Sequence, residues 1–506
     1  MAITKVTSSV LDVDIPAYKS FGTDSIMIGD TTTGTINAAD QNTGLGVDVF
    51  AALTEGDQNT AIGKGALTAT TTGSSNVAVG RHSMFTNTTG LSNVAVGLNS
   101  LYYNTEGGYN VAIGQQAMNA NTDGGSNVAV GYQALVSNDS GAGNVAIGQQ
   151  ALDANTSANF NVAVGINALG SNTTASNNTA IGTSALLANT TGTRNTALGT
   201  YAMQAQTAGY DNTAIGYAAM YNANSGALVV RNTAVGNGAL YSTTGNDTTA
   251  IGYNALTAQT SGRRNVAVGT SSGYTTTTGT DNTFLGTNAG LFVTTGNENV
   301  IVGKDAGSGL TSGSGNVLLG LGSGDAIVTG NRNIVIGYLN DTLNSSSADT
   351  IVMGYAVTGG GNDTFTFGRG SIDSQIAYGA TSITAPSDIR LKEDIKDEEV
   401  GLEFIKDLRP VTFLWKKEKD IPSDMRAYKE GSEERTMNGK YNHGFIAQEV
   451  KEVIDKHNLK EGFDMWSEDD TDGRQRVAPA ALISVMVKAI QELSAKVEEL
   501  ESQIGV

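Results

Sequence analysis

The sequence predicts a mostly β protein: a parallel β-solenoid (β-roll) of 17-residue repeats, followed by a small α+β domain with a C-terminal helix. Three observations predict this fold class. A short phrase ending in glycine recurs twenty times between Gly29 and Gly354, nearly always 17 residues apart. The density of charged residues rises abruptly after Pro386, and the last segment carries an apolar stripe of helical spacing. Self-similarity at a fixed period is typical of solenoids, in which each repeat packs against its neighbours.

The repeated phrase alternates its side chains with a period of two. In residues 76–80, which read Asn-Val-Ala-Val-Gly, Val77 and Val79 point one way. Ala78 and Asn76 point the other way. A period of two indicates a short β-strand. The glycine then supplies a turn that requires a positive φ or a close backbone approach. The sequence therefore predicts one short strand and one turn for each repeat.

A second apolar position lies four residues after most of these glycines. Leucine or methionine occupies it as far as Leu256, and glycine takes it over from Gly273 onwards, which predicts that the rod narrows or repacks there. The 17-residue spacing slips twice, with a step of 20 residues from Gly216 to Gly236 and a step of 16 residues to Gly252. The later glycines of the second position are Gly290, Gly307 and Gly324.

The asparagine that opens each phrase recurs at the same position in successive repeats. Stacked repeats place these residues above one another, and amide side chains in such stacks hydrogen-bond from rung to rung. We favour a buried structural ladder over a ligand-binding role, because buried polar groups are normally paired. At about 4.8 Å per rung, these repeats give a rod on the order of 95 Å long. The stacked residues include Asn76, Asn93, Asn110, Asn127, Asn144, Asn161, Asn178, Asn195 and Asn212.

A coil of 17 residues encloses little volume, and it leaves one apolar face uncovered. We therefore expect three chains to pack these faces together as a homotrimer. The repeats resemble the parallel β-roll heads of trimeric autotransporter adhesins, whose coils carry similar phrases of asparagine, small apolar residues and glycine. The resemblance covers roughly residues 25–355, and it implies a trimeric β-roll.

The composition argues against several classes of function. The net charge of −19 argues against nucleic acid as a partner, because phosphate binding requires a basic surface. The chain has no cysteine and therefore neither disulfides nor thiolate metal sites, and we expect no metal or other cofactor. No segment approaches the roughly 18 apolar residues of a membrane helix, and the N-terminus has no apolar signal-peptide region. We therefore expect neither insertion into a membrane nor export by a standard signal peptide.

The charge distribution divides the chain into domains. Residues 1–386 carry 33 charged side chains, whereas the 120 residues of 387–506 carry 46. None of the five prolines lies within 17–385, which suits a region where nearly every backbone N–H is needed in a ladder. We expect a rod with a terminal cap at 25–386 and a second domain at 387–506. A short attachment segment at 1–24 precedes them.

The last segment reads as a helix with a strict apolar stripe. Its apolar residues follow a 3-4-3-4-3-4 spacing over three heptads, which is the pattern of a coiled-coil seam. A single amphipathic helix that packs on its own domain gives a similar stripe, but the strict spacing favours a trimeric coiled coil over residues 480–504. The seam comprises Ile483, Met486, Ile490, Leu493, Val497, Leu500 and Ile504.

Several separated motifs of the second domain form a recognisable set. They are residues 387–395 (Ser-Asp-Ile-Arg-Leu-Lys-Glu-Asp-Ile), 408–415 (Leu-Arg-Pro-Val-Thr-Phe-Leu-Trp) and 443–450 (His-Gly-Phe-Ile-Ala-Gln-Glu-Val). With the terminal coiled coil, they resemble the C-terminal intramolecular chaperone domain of endosialidases and phage tail fibres, a family of self-cleaving Ser/Lys peptidases. The resemblance covers residues 387–506. It implies a domain that trimerises, guides folding of the β-structured fibre before it, and then cuts itself off just before its serine.

The resemblance also implies which residues carry out the cleavage. Ser387 is the nucleophile that attacks the carbonyl of Pro386, and Lys392 is the base that takes the serine proton. A serine hydroxyl is a weak nucleophile until a base activates it, and a desolvated lysine can do so. The resemblance also implies that His443 and Gln448 support the reacting carbonyl or amine.

Structural interpretations exist for the same residues. Ser387 alone fits the N-cap of a helix, where Asp388 favours the first turn, and His443 alone fits a structural histidine. Pro386 restricts φ on the acyl side of the scissile bond and constrains Ala385. If this restriction prevents cleavage, the domain stays attached as a retained chaperone.

The sequence as a whole predicts a homotrimeric phage tail fibre or adhesin. We expect synthesis in the host cytoplasm and a place on the virion, with the N-terminal segment attached to the tail or baseplate. The expected target is a glycan or protein of the host-cell surface. Any catalysis is at most one self-cleavage for each chain.

Three other classes compete with this interpretation. A tailspike depolymerase requires convergent carboxylates on the rod, but the acidic residues there are scattered over turns. A bacterial trimeric adhesin requires a signal peptide and a membrane-anchor barrel, and we find neither pattern. A virion decoration or whisker fibre differs only in its point of attachment, which the sequence does not reveal.

Overall fold

The structure of this protein is a computed structural model. It describes residues 18–21, 23–29, 38–223, 228–380, 383–384, 387, 389, 392–425, 427–437, 439–459, 463–468 and 475–505. The predicted attachment segment 1–24 lies largely outside these residues, and Pro386 of the predicted cleavage site lies outside them too. The chain forms two compact units, Met1–Pro386 and Ser387–Val506.

The described part of the first unit contains one sheet of 23 strands. In chain order the strands are β1 (Tyr18–Phe21), β2 (Ser25–Gly29), β3 (Thr43–Gly46), β4 (Thr60–Ile62), β5 (Val77–Val79), β6 (Val94–Val96), β7 (Val111–Ile113), β8 (Val128–Val130), β9 (Val145–Ile147), β10 (Val162–Val164), β11 (Thr179–Ile181), β12 (Thr196–Leu198), β13 (Thr213–Ile215), β14 (Thr233–Val235), β15 (Thr249–Ile251), β16 (Val266–Val268), β17 (Thr283–Leu285), β18 (Val300–Val302), β19 (Val317–Leu319), β20 (Ile334–Tyr338), β21 (Ile351–Tyr355), β22 (Thr364–Arg369) and β23 (Ile372–Ala377). Strands β2 to β22 pair in parallel in chain order, whereas β1 and β23 pair antiparallel with β2 and β22.

Successive parallel strands are displaced by one repeat. Ala78 of β5 lies opposite Ala95 of β6, 17 residues further along the chain. The register continues through the two irregular repeats, since Ala214 pairs with Ala234 and Ala234 pairs with Ala250. This arrangement confirms the predicted parallel β-solenoid with about 17 residues per turn.

The strand side chains point as their alternation predicts. Ala78 and Asn76 are fully buried, whereas Val77 and Val79 are half-buried on the outer surface. The interior is a continuous row of such alanines, together with the leucine or methionine that follows each turn. Because each coil repeats this arrangement, the outer valines, isoleucines and leucines of the strands form an apolar stripe along the unit, which we call the strand stripe.

The asparagines form the predicted interior ladder. The backbone N–H and the Nδ2 of Asn76 both donate to Asn59 Oδ1, at 3.0 and 3.1 Å. Nδ2 also donates to the carbonyl of Gly90 at 2.9 Å. A second buried row lies after the turn, where Asn104 Nδ2 donates to Asn87 Oδ1 at 2.8 Å. Two rows of amides therefore join each coil to the coils on either side of it.

The glycine that ends each phrase permits a close backbone approach. Gly80 has a φ of +132°, and a β-carbon on it would lie 2.5 Å from the carbonyl oxygen of Gly97 in the next coil. A side chain at this position would force adjacent coils apart and would be strained at this φ. Glycine is therefore required by both of the reasons that the sequence suggests.

The interior is repacked where glycine replaces leucine after the turn. Leu256 has a φ of +49°, in the left-handed region that is strained for residues with a β-carbon. Gly273 takes the equivalent position without this strain. The ring of Phe284 fills the vacated space, because a β-carbon on Gly273 would lie 2.6 Å from Phe284 Cδ2. Phe284 stands where earlier strands carry alanine, so a larger strand residue compensates for the missing leucine.

The second unit is a small α+β domain. Its elements are α1 (Leu402–Asp407), β24 (Val411–Phe413), β25 (Asn442–Gly444), α2 (Ala447–Lys456), β26 (Trp466–Glu468), β27 (Gln475–Val477) and α3 (Leu482–Ile504), with short 3-10 turns at Glu418–Asp420 and Pro479–Ala481. Strand β24 pairs antiparallel with β25, and β26 pairs antiparallel with β27. The domain and its terminal helix agree with the predicted fold class. Within the described ranges, no helix has the length and apolar character needed to span a membrane.

The buried residues of this domain come from its helices and from the segment before β26. The core holds Phe404 of α1, two residues of α2, Met465, and two residues at the start of α3. The terminal helix is therefore anchored to the domain at its N-terminal end. The members of the core are Phe404, Val450, Ile454, Met465, Leu482 and Val485.

Candidate functional site

Ser387 and Lys392 are in contact at the start of the second unit. Lys392 Nζ donates a hydrogen bond to Ser387 Oγ at 2.8 Å. A turn brings the lysine back toward the serine, since the backbone N–H of Lys392 donates to the carbonyl of Ile389 at 3.2 Å. The residues predicted as nucleophile and base are therefore within hydrogen-bonding distance of each other.

Both side chains of this pair are exposed in the single chain. In the observed contact Nζ of Lys392 is the donor, whereas proton transfer from the serine requires Nζ to accept the hydroxyl proton. A lysine acts as a base only where its surroundings disfavour the ammonium form. The single chain thus supplies the geometry of a Ser/Lys pair but does not exclude water from it.

The helix-cap interpretation of Ser387 has no counterpart among the described residues. No α-helix in the described part of the second unit begins before α1, which starts at Leu402, and residues 392–401 are non-helical. Asp388, the other residue of that interpretation, lies outside the described residues. The hydroxyl of Ser387 accepts a hydrogen bond from Lys392 rather than capping a described helix.

His443 and Gln448 belong to other elements of the domain. His443 lies on β25 opposite Thr412 of β24, and its side chain is exposed. Gln448 is the second residue of α2, and it is exposed as well. Within the part of the chain that the structure describes, no hydrogen bond joins either side chain to Ser387 or Lys392. The structure brings the predicted nucleophile and base together and shows no such contact for the two predicted supporting residues.

Charged contacts fix the helices of the second unit to one another. Asp407 at the end of α1 contacts Lys456 Nζ and His457 Nε2, each at 2.7 Å. The hydrogen bonds from Lys456 and then from His457 hold the pKa of Asp407 below its usual value. At the other end of α1, the backbone N–H of Leu402 donates to a carboxylate oxygen of Glu492 on α3 at 2.8 Å. The fold of the domain is therefore stabilised by contacts within one chain.

Helix α3 carries two apolar stripes. One stripe, formed by Leu482, Val485 and Ala489, is buried. The other is the predicted seam, whose residues range from 43% exposed at Met486 to 72% exposed at Ile504. An exposed apolar surface of this length is typical of an interaction site. The seam is thus left uncovered by the described residues of its own chain.

An acidic pair near the end of the first unit was not among the predicted site residues. Asp341 lies four residues after Gly337, at the position where other coils carry leucine, methionine or glycine. Its Oδ1 and Oδ2 accept the backbone N–H groups of Thr342 and Ala326, each at 2.8 Å. Burial, together with the neighbouring Asp325 carboxylate, raises the pKa of Asp341 to about 7. An acid at an otherwise apolar position is the sequence signal that reveals this pair.

Comparison with known families found a match within the second unit. Residues 387–459 match the Peptidase S74 family, described as chaperone of endosialidase. The match begins at Ser387 and contains the four predicted site residues, but it ends before the seam. Searches of curated proteins and of solved structures found no match. The matched domain and the long β-solenoid together fit a phage fibre with an endosialidase-type chaperone.

Across the described ranges, no group of three or more His, Cys, Asp or Glu residues is arranged to hold a metal ion.

Asp341 should make the end of the first unit sensitive to pH. A carboxyl whose pKa is raised on folding stabilises the folded state fully below its ordinary pKa, and this contribution is lost as the pH rises through about 7. We expect amide exchange in residues 324–342, corrected for intrinsic rates, to be about tenfold faster at about pH 8 than at about pH 5. Asp341→Asn should remove this difference, because the amide imitates the protonated acid.

The matched control for this experiment is Asp123→Asn, an exposed acid elsewhere on the solenoid. It should keep the pH dependence of the wild type. The same pH dependence in Asp341→Asn and in the wild type would contradict the assignment.

Proposed function

We propose that this protein is a homotrimeric phage fibre whose second unit acts as an intramolecular chaperone. The chaperone assembles three chains, guides the solenoid into register, and then releases itself by cleavage between Pro386 and Ser387. The fibre is carried on the virion, attached at the tail or baseplate through its N-terminal segment, and it reaches or binds the host-cell surface. The observation that carries the proposal is the Ser387–Lys392 contact at the first residue of the segment that matches the chaperone family.

In the proposed cleavage, Ser387 attacks the peptide bond that precedes it. Its Oγ forms an ester with the carbonyl carbon of Pro386, while the bond from that carbon to the Ser387 nitrogen breaks. Lys392 takes the hydroxyl proton and delivers it to the departing nitrogen. Water then hydrolyses the ester, which leaves a carboxylate on Pro386 and restores the serine hydroxyl. Each chain undergoes this reaction once.

The exposure of the pair suggests that cleavage follows assembly. In the single chain both side chains are exposed to water, whereas a lysine acts as a base only where it is desolvated. Packing of three copies around the pair would exclude this water and favour proton transfer. In this proposal the chaperone is therefore released only after the trimer has formed.

Two uncovered apolar surfaces support the assembly of several copies. The first is the seam on α3, whose three heptads suffice for a coiled coil. The second is the strand stripe of the solenoid, where Ile113 and Ile147 are 40% and 39% exposed. Both surfaces are regular along their length, as a symmetric interface between identical chains requires. These surfaces favour a trimer over a single chain with either surface exposed to water.

A depolymerase activity of the solenoid finds less support. Carboxyl groups that cleave glycosidic bonds are spaced about 5 to 9.5 Å apart, so that they can flank the bond. Both oxygens of Asp341 instead accept backbone N–H groups, and the neighbouring Asp325 carboxylate raises the pKa of Asp341. Asp341 therefore suits a structural role. Among the described residues, four acids of the solenoid pair with an arginine of the preceding coil, as Asp211 does with Arg194.

The α3 seam should determine the trimer. In a Ser387→Ala background, which keeps the chain intact, we expect light scattering to give the mass of three chains. Ile490→Asp places a charge in the seam, where Ile490 is 67% exposed in the single chain, and it should abolish the trimer. Gln491→Asp introduces the same side chain one residue away, outside the seam, and should leave the trimer intact. A monomeric mass for the parent protein, or a trimer in Ile490→Asp, would contradict the proposal.

Cleavage should require both members of the Ser/Lys pair. We expect intact mass spectrometry of the wild type to show a fragment that begins at Ser387. Ser387→Ala removes the nucleophile and Lys392→Met removes the base, so both variants should remain at full length and still form trimers.

The control for this experiment is Lys396→Met, a nearby exposed lysine that pairs with Asp394 rather than with the serine. It should cleave as the wild type does. Wild-type protein that remains at full length through prolonged incubation would show that Pro386 blocks the reaction and that the chaperone is retained.

A further inference from the structure

The two irregular repeats lie within a cluster of tyrosines. The steps of 20 and 16 residues, between Gly216 and Gly252, are the only departures from the 17-residue spacing from Gly29 to Gly354. Apart from Tyr210, five of the 17 tyrosines of the chain fall between residues 201 and 253, on these coils and on the coils that flank them. A local break in a regular pattern is where a functional position is expected. The five residues, which we call the tyrosine patch, are Tyr201, Tyr217, Tyr221, Tyr241 and Tyr253.

Four rings of the patch form a continuous aromatic surface. Tyr201 meets Tyr217 and Tyr221 edge to face, with ring centroids 5.8 and 6.3 Å apart. Tyr221 stacks on Tyr241 of the next coil at 5.0 Å. These contacts hold the rings in fixed orientations, so a ligand meets an ordered surface and little side-chain entropy is lost on binding.

The patch also has exposed rings, with small residues and a carboxamide beside them. Tyr217 and Tyr253 occupy the same position of the repeat, two coils apart, and are 54% and 55% exposed. Ala218 and Gly238, which follow the first positions of their coils, are small and buried. The carboxamide of Asn254 lies over Gly238, where a β-carbon would collide with it. Aromatic rings beside a few polar groups are typical of sites for small organic ligands.

Ion pairs on a corner row neutralise most charged side chains near the patch: Arg194 pairs with Asp211 at 2.7 Å and Arg231 pairs with Asp247 at 2.6 Å. Arg263, on the coil of Tyr253, is exposed and has no ion pair among the described residues. Gln204, which lies in one of the tyrosine rows, has a buried Oε1 without a hydrogen-bond partner among the described residues. A hydroxyl group of a ligand would find amide and phenol partners at the patch.

We propose that the tyrosine patch binds a neutral saccharide built of pyranose rings. A pyranose presents an apolar face of C–H groups, which suits exposed tyrosine rings, and a rim of hydroxyls, which suits the amides and phenols. This inference rests on the proposed role at the host-cell surface and locates the contact on the solenoid. Tyr217 and Tyr253 supply the exposed rings, and Asn254 supplies a carboxamide.

The test uses the full chain and a printed array of neutral oligosaccharides containing glucose, galactose, mannose or N-acetylhexosamine, beside sialylated and phosphorylated forms of the same cores. We expect neutral members to bind. Titration with the best-bound neutral oligosaccharide should show at least about a tenfold loss of affinity in Tyr217→Ala and in Tyr253→Ala. Tyr132→Ala is the matched control, because Tyr132 has the same repeat position and is 44% exposed outside the patch. It should bind within about twofold of the wild type.

Three outcomes would overturn the proposal. They are no binding of any neutral oligosaccharide, an equal loss in Tyr132→Ala, and a lower oligomeric mass in Tyr217→Ala, which would make the patch an interface between copies. The same preparations are assayed for trimer mass and for cleavage before Ser387. Normal assembly and cleavage without saccharide binding would reject this site alone, whereas failure of assembly and cleavage in the wild type would reject the proposed function itself.

Discussion

The structure depends on hydrogen bonds between neighbouring coils. A coil of 17 residues is too short to satisfy its own backbone, and its N–H groups are directed to carbonyls one repeat away, as Val77 donates to Asn93 and Gly80 to Ile62. The buried asparagines serve the same purpose, because each amide joins its coil to the preceding asparagine and to a carbonyl of the following coil. An isolated coil would leave these groups unpaired and buried, at a cost of about 1–3 kcal/mol each. Each coil is therefore stable only beside another coil.

Because each coil is stable only beside another coil, stabilisation is missing at the two ends of the solenoid and at the start of folding. At the ends, the antiparallel strands Tyr18–Phe21 and Ile372–Ala377 replace the missing coil. The first coils to form gain little until a neighbour is present, and parallel pairing of distant segments is slow. A domain that folds on local contacts and joins copies through an exposed helix would provide a template for this step. The second unit has a core of its own, and the seam from Ile483 to Ile504 is uncovered by the described residues of the chain, which supports the proposal that it plays this part.

The features of this molecule that the sequence predicts are those that repeat. The period, the inward direction of Ala78 and Asn76, and the need for glycine at Gly80 all follow from a pattern seen many times over. Contacts that occur only once in the chain cannot be predicted from the repeat. The filling of space at Gly273 by Phe284 depends on two positions that are distant in the repeat, and the raised pKa of Asp341 depends on its position beside Asp325. In the second unit the family resemblance named Ser387 and Lys392, but only coordinates show the turn that joins them.

Hydrogen exchange in a variant of the asparagine ladder tests this account most directly. Asn127 Oδ1 accepts the backbone N–H of Asn144 at 2.9 Å, and its Nδ2 donates to Gly141 at 2.8 Å. If coils are held by their neighbours, Asn127→Ala should accelerate exchange on the coils around it by about tenfold or more, because buried groups lose their partners. Exposed Gln149→Ala should change nothing. Equal exchange in the two variants would show that the strands, and not the amide ladder, hold the coils together.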